Sequence, residues 1–300
     1  MCNLFPRLFF FILIFIDVEL FAQPFVDIVN VNSQLFSSTY KDSTSAKNST
    51  NDYFFNFFYP KEFKNGNTLL VRLNGEQLTS STESNQASKY NLYAMSLPVG
   101  YQLISSNKKW KALGMVIPKI SSDFKDVSGN DFQMGGIVLF TYVKNENLKY
   151  KMGVYYNHEF FGNFFVPLVG VDWKINDRIM LYGVMPTNYK AEFKINKKLY
   201  CGINFKSYTR SYLLTQSYNG TFVKNSENQL KLFFDYYAFK KIVFYAEVGR
   251  TLGYNVLQYQ LSDPKQVSTS NPVYQKFNNN FLFNIGIAYR IRFSDITTSK

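Results

Sequence analysis

His158 stands beside Glu159, and a histidine next to a carboxylate has the side-chain types for general acid–base work. In an extended segment successive side chains point to opposite faces, so adjacency does not bring the two together. A membrane-embedded lipid hydrolase centred on His158 is therefore kept as an alternative, and a polar interior or rim side chain is the plainer reading. With one His and two Cys in 300 residues, zinc and Cys–His chemistry has little to work with. No HExxH, CxxC or Asp-rich calcium loop is present, and Gly135-Gly136 lacks the lysine and spacing of a phosphate loop. No catalytic residue, cofactor or metal site is expected.

Seven charged residues have a stronger physical claim. Arg72, Asp172, Asp235, Glu247, Arg250, Arg290 and Arg292 all fall inside segments with alternating apolar residues. If those segments cross a bilayer as strands, an Arg or Lys facing lipid costs about 2–4 kcal/mol at the midplane. Each is therefore expected to face a lumen or to lie near an interface. Paired, they would brace a closed barrel; separated, they would line a polar path.

The elements that must carry them are strands. Phe281, Phe283, Ile285, Ile287, Tyr289, Ile291 and Phe293 share one face, while Asn284, Gly286, Ala288, Arg290 and Arg292 share the other. Leu69, Val71 and Leu73 oppose Arg72, Asn74 and Glu76; the stripe Tyr93, Met95, Leu97, Val99, Tyr101 and Leu103 repeats the pattern, as do Phe165, Val169, Val171, Trp173 and Ile175. Further segments are 25–36, 111–119, 132–143, 148–160, 178–185, 187–195, 199–211, 230–240 and 242–257. Short polar connections such as Lys144-Asn145-Glu146-Asn147, Asn176-Asp177 and Asn196-Lys197-Lys198 suit hairpins. Residues 37–52, 79–89, 121–131, 215–228 and 261–280 read as longer polar excursions, the first of them also as a plug. That makes about thirteen patterned segments with no helical pattern between them.

Composition separates a soluble sheet from a membrane barrel. The chain holds 31 Phe and 23 Tyr, and aromatics make up 19% of it. Runs such as Tyr53 to Tyr59, Phe160 to Phe165 and Phe233 to Tyr237 are hard to bury together, whereas bilayer interfaces accept them. At the amino terminus Arg7 precedes an apolar run from Leu8 to Ile16, and Ala22 offers a cleavage point: 1–22 reads as a signal peptide. Asp17 and Glu19 end the run well below the ~20 residues of a spanning helix. Thirty-three basic against 21 acidic residues give a net charge of +12, which suits anionic headgroups. The placement of these charges in strands behind an export leader argues against a nucleic-acid partner.

Residues 165–176, 178–186 and 189–196 repeat a unit of hydrophobic strand and polar turn that includes Pro167, Asn176 and Pro186. Over 25–293, and in detail over 133–206, the chain resembles an uncharacterised outer-membrane-β-barrel-like family, a domain of unknown function, from Gram-negative bacteria. The resemblance implies a barrel and supplies no catalytic or binding residue. Phe293 is similar to the terminal aromatic by which the barrel-insertion machinery recognises such chains, followed here by a polar tail, 294–300.

The expectation is an all-β, antiparallel, up-and-down transmembrane β-barrel over 23–293, with about 12 strands and 10 or 14 as neighbours, because single-chain barrels use even counts. An odd number of patterned segments must then include a false strand or conceal a missed one. The expected place is the outer membrane, with lipids and the insertion machinery as partners. The expected role is structural or a narrow passive conduit for small solutes. The remaining alternative is an exported soluble β-sandwich or barrel binding hydrophobic or glycan ligands through exposed aromatics. Substrate, oligomeric state and an open or filled lumen are not legible.

Overall fold

The computed structural model describes residues 24–40, 47–83, 88–215, 221–260 and 273–293. The expected leader 1–22 and tail 294–300 lie outside the described residues. In chain order the strands are β1 (Phe25–Thr39), β2 (Lys47–Glu62), β3 (Thr68–Glu83), β4 (Ser88–Ser96), β5 (Val99–Ile104), β6 (Trp110–Ser122), β7 (Phe132–Asn145) and β8 (Leu148–Glu159). They continue as β9 (Gly162–Lys174), β10 (Ile179–Val184), β11 (Asn188–Lys194), β12 (Leu199–Leu213), β13 (Thr221–Tyr237), β14 (Ile242–Gln260), β15 (Val273–Phe277) and β16 (Phe281–Arg292).

Neighbours in sequence pair antiparallel, and β1 pairs with β16, so the sheet closes on itself. β4 and β5 both lie between β3 and β6, interrupted at Leu97-Pro98, and β15 and β16 both pair with β14. Counted by position in the wall, the barrel has 14 strands. The twelve-strand centre of the expectation thus rises to its upper neighbour. The strand that the sequence conceals is β2: its first half, Lys47 to Asp52, is polar on both faces and shows no greasy stripe.

Alternation sets which side chains face where. Along β13, Gln229, Lys231, Phe233, Asp235 and Tyr237 are buried, while Leu230, Leu232, Phe234 and Tyr236 between them are exposed. β16 repeats this, from Phe281, 72% exposed, through Phe283, Ile285, Ile287 and Tyr289. An outer surface of Leu, Ile and Phe on every turn of the wall is the reverse of a water-soluble sheet and matches a hydrocarbon solvent. Closure also satisfies the backbone, since an open edge in lipid costs several kcal/mol per unpaired group.

The aromatic runs do not act as blocks. In Tyr53 to Tyr59, Tyr53, Phe55 and Phe57 point outward and Phe58 is buried; in Phe233 to Tyr237, Phe234 and Tyr236 point outward and Phe233 and Tyr237 inward. Parity divides each run between the outer belt and the interior. All five expected excursions, 37–52, 79–89, 121–131, 215–228 and 261–280, lose parts to strands, and 121–131 also contains a single helical turn, Gly129–Asp131, capped by Ser128.

Connections at the end that carries both termini are short, as at 63–67, 105–109, 146–147, 175–178, 195–198 and 238–241. At the opposite end several strands run longer, and β14 reaches 19 residues. There the top of β12 crosses toward β6: Leu213 bridges Ser122 in parallel, and Ser121 Oγ donates to Ser211 O at 2.7 Å.

Candidate functional site within the barrel

Contacts between strands that are not neighbours can only cross the interior, and they define its inner face. Near the termini, Arg292 of β16 forms a two-pronged pair with Glu192 of β11, at 2.8 and 2.9 Å, and takes the Tyr237 hydroxyl at 3.0 Å. Tyr182 donates to the same Glu192 at 3.2 Å. Arg290 pairs with Asp27 at 2.5 Å and with Asp235. Both guanidinium groups lie over the Phe25 ring, at 3.6 and 5.2 Å.

A second layer lies further in. Lys231, 2% exposed, pairs with Glu247, which also accepts from Asn204 at 3.0 Å and Asn284 at 2.8 Å. Alternation and register place Lys190 of β11 and Lys206 of β12 on the same face, their ammonium groups over Phe233 at 4.8 Å and Tyr208 at 4.6 Å. Gly286 is required here: a Cβ on it would collide with the Tyr245 ring.

The third layer converges on one cation. Arg210 of β12 reaches Glu76 of β3 at 2.5 Å, Glu227 of β13 at 2.7 Å and Asp52 of β2 at 3.2 Å. Three carboxylates around one guanidinium counterbalance the lysine-rich layer beneath. Beyond it, Phe36, Leu78, Leu92, Tyr212, Val223, Tyr254, Phe277 and Leu282 form an apolar core inside the wall. Wall side chains thus fill the β11–β16 and β1–β2 side, together with β3 from Glu76 upward.

The β5–β9 side, with the lower end of β3 beside it, differs. Arg72, opposite Phe58 in register, lies on the inner face with its guanidinium 4.7 Å from the Phe58 ring, yet it is solvent-exposed. Inner residues Gln102, Leu139, Lys149 and Tyr155 are only half-buried. Lys151 pairs with Asp172 at 2.7 Å, and Asp172 also accepts the Gly183 N–H at 3.1 Å. Higher up, Glu159 accepts from Ser211 Oγ at 2.5 Å, Gln133 Nε2 at 3.2 Å and Asn157, with Lys119 at 3.5 Å.

Of the seven charges singled out in the sequence, Asp172, Asp235, Glu247, Arg290 and Arg292 are buried in these pairs and Arg72 shares their face. Of the two places expected for these charges, Arg250 does not take the lumen face. It lies three positions from Glu247, hence on the opposite face, exposed beside Phe281 and donating to Asn279 O at 3.3 Å. The sequence reading missed Asp27, Asp52, Lys151, Glu192, Arg210, Glu227 and Lys231, and it placed Glu76 on the polar face without singling it out. The signal available for Lys231 and Glu192 was charge alternating with exposed apolar residues. His158 is exposed with Nδ1 3.0 Å from Asn163, on the face opposite Glu159. Among the described residues no group of His, Cys, Asp and Glu is arranged for a metal.

Three solved structures are similar to the chain at low identity. An outer membrane channel of Pseudomonas putida F1 matches with a TM-score of 0.45 at 9% identity over 89% of this chain and 96% of that one. The TodX monoaromatic hydrocarbon channel, as a deletion mutant, gives 0.44 at 10% identity over 88% and 89%. The translocator domain of the autotransporter NalP from Neisseria meningitidis gives 0.38 at 11% over 88% of each. Likeness at this level is one of fold. No curated protein matches by sequence. The family model "Domain of unknown function (DUF6268)" matches residues 28–290.

Proposed function

The chain belongs to the DUF6268 family, and from the geometry of its barrel we propose that it is an integral outer-membrane protein forming a narrow passive conduit for small solutes. The observation that carries the conduit is Arg72, an exposed residue on the inner face, where Asp235, Arg290 and Arg292 are buried. The path this supports runs off the barrel axis, along the inner faces of the Arg72 end of β3 and of β5 to β8, because the other side is packed through. On this reading 1–22 is removed on export, 23–293 inserts with the help of the insertion machinery and outer-membrane lipids surround the apolar belt. The short turns lie on the periplasmic side, as is usual for such barrels. The seven charges then divide into braces, Arg72 as a lining group, and Arg250 near an interface.

Purified, folded protein in planar bilayers tests the conduit. Small conductance steps are expected, and Arg72→Glu is expected to shift the reversal potential in a salt gradient toward cation preference, since a fixed lining charge biases ion passage. Absence of conductance at all voltages would remove the conduit and leave a structural barrel.

A further inference from the structure

We propose that the wall above the β10–β11 hairpin is a lateral port, through which a single-chain amphiphile with a hydrogen-bond-donating head passes between the surrounding lipid and the interior. The inference rests on the membrane reading, not on conductance. A strand needs ~9–11 residues to cross the hydrocarbon, whereas β10 has 6 and β11 has 7. Their hairpin stops where Val169 exchanges backbone hydrogen bonds with Met185 and where Ser207 N–H donates to Thr187 O. Above that level β9 pairs only with β8, while β12 pairs with β13 and, at Leu213, with Ser122 of β6 across the interior, so no ladder joins residues 163–168 to residues 208–213.

The chain carries marks of an edge there. Pro167, which has no N–H to give, occupies the next position on the β9 edge beyond Val169 and sits opposite Val154 in register with β8. A proline at such an edge also discourages a further strand from adding to it. The depth is within the apolar belt, for Phe165 and Val169 are 64% and 62% exposed. Backbone left unpaired at that depth needs polar company, and the β12 side supplies it in Ser207, Thr209 and Ser211. One flank is greasy and the other polar.

Side chains, not a ladder, close the top of the gap. Ser211 Oγ donates to Glu159 at 2.5 Å and accepts from Phe160 N–H at 3.2 Å and Gln133 Nε2 at 3.0 Å. Lys224 lies 3.9 Å from the Phe161 ring centre. Gln133 and Asn157, both almost fully buried, leave Oε1 and Oδ1 without a hydrogen-bond partner among the described residues. Those two acceptors beside the Glu159 carboxylate complement hydroxyl or ammonium donors, while the Phe164 and Phe165 side receives a chain.

The test uses tryptophan reporters in the full chain carrying Trp110→Phe and Trp173→Phe, reconstituted in vesicles. Phe165→Trp, on the outer face, is expected to be quenched by dibrominated phosphatidylcholine. Phe164→Trp, on the inner face, is expected to lose fluorescence saturably with added dibrominated dodecyl maltoside and to regain it with excess unbrominated maltoside. Should Phe164→Trp fail to show heat-modifiable folding, Val166→Trp reports from the same face. Quenching at 165 without saturable quenching at the inner reporter overturns the port and leaves the membrane barrel standing. Absence of quenching at both overturns the membrane reading and the port with it.

Discussion

Arg290 illustrates how much a single inner side chain holds together. It joins β16 to Asp27 of β1 and Asp235 of β13 and covers the Phe25 ring. Arg290→Ala leaves the buried Asp235 and the half-buried Asp27 without their cation, and breaking a buried group by removing one partner costs about 3–5 kcal/mol. Urea unfolding in lipid vesicles is expected to show that loss, with part of it recovered when Asp235→Asn accompanies the change. On the other face the sign of tolerance reverses: Ile285→Arg is expected to lose about 2–4 kcal/mol in the same titration by placing charge in hydrocarbon. Burial of Asp172, Asp235 and Glu247 was legible because each sits among alternating apolar residues. That Arg250 leaves the face of Glu247 is a matter of parity, since three positions separate them on one strand. The partners were not legible, since Arg292 meets Glu192 from 100 residues away and only closure of the sheet brings them together.

At the scale of the element, the pattern that reveals a strand is the greasy stripe, and elements without one are hidden. β16, with its stripe exposed and its alternate residues inside, could be read outright. β2 could not, because Asn48, Thr50 and Asp52 are buried on the inner face while Ser49 and Asn51 opposite them are equally polar. Its register with β1 and β3, unbroken along its length, supplies what hydropathy does not. The same logic separates two prolines. Leu232→Pro, in the middle of β13 between β12 and β14, is expected to abolish the heat-modifiable form on gels, because it strips a donor from a ladder paired on both sides. Pro167→Ala is expected to leave that form intact, because the edge it occupies has no partner above Val169.

At the scale of the whole molecule, closure of β1 on β16 makes the barrel one cooperative object. A chain ending at residue 280 lacks β16 and would expose two open edges, β1 and β14, to hydrocarbon. It is expected to remain in a fully heat-shifted, protease-sensitive form where the full chain resists both. The closed antiparallel architecture followed from sequence, since period two and the polar turns between patterned segments point to it. The filled interior did not. Whether a lumen is open depends on which inner side chains meet across it, and no one strand carries that information.

Phe293 N–H donates to Pro24 O at 3.0 Å, so the two ends of the described barrel meet at a single hydrogen bond. Joining them with a short linker and cutting the polypeptide elsewhere, for instance in the turn at 195–198, would reorder synthesis without altering the wall. Such a rearranged gene product would present a different strand to the cell's assembly apparatus last. Comparing its yield with that of the natural order would separate what the finished cylinder demands from what its manufacture demands.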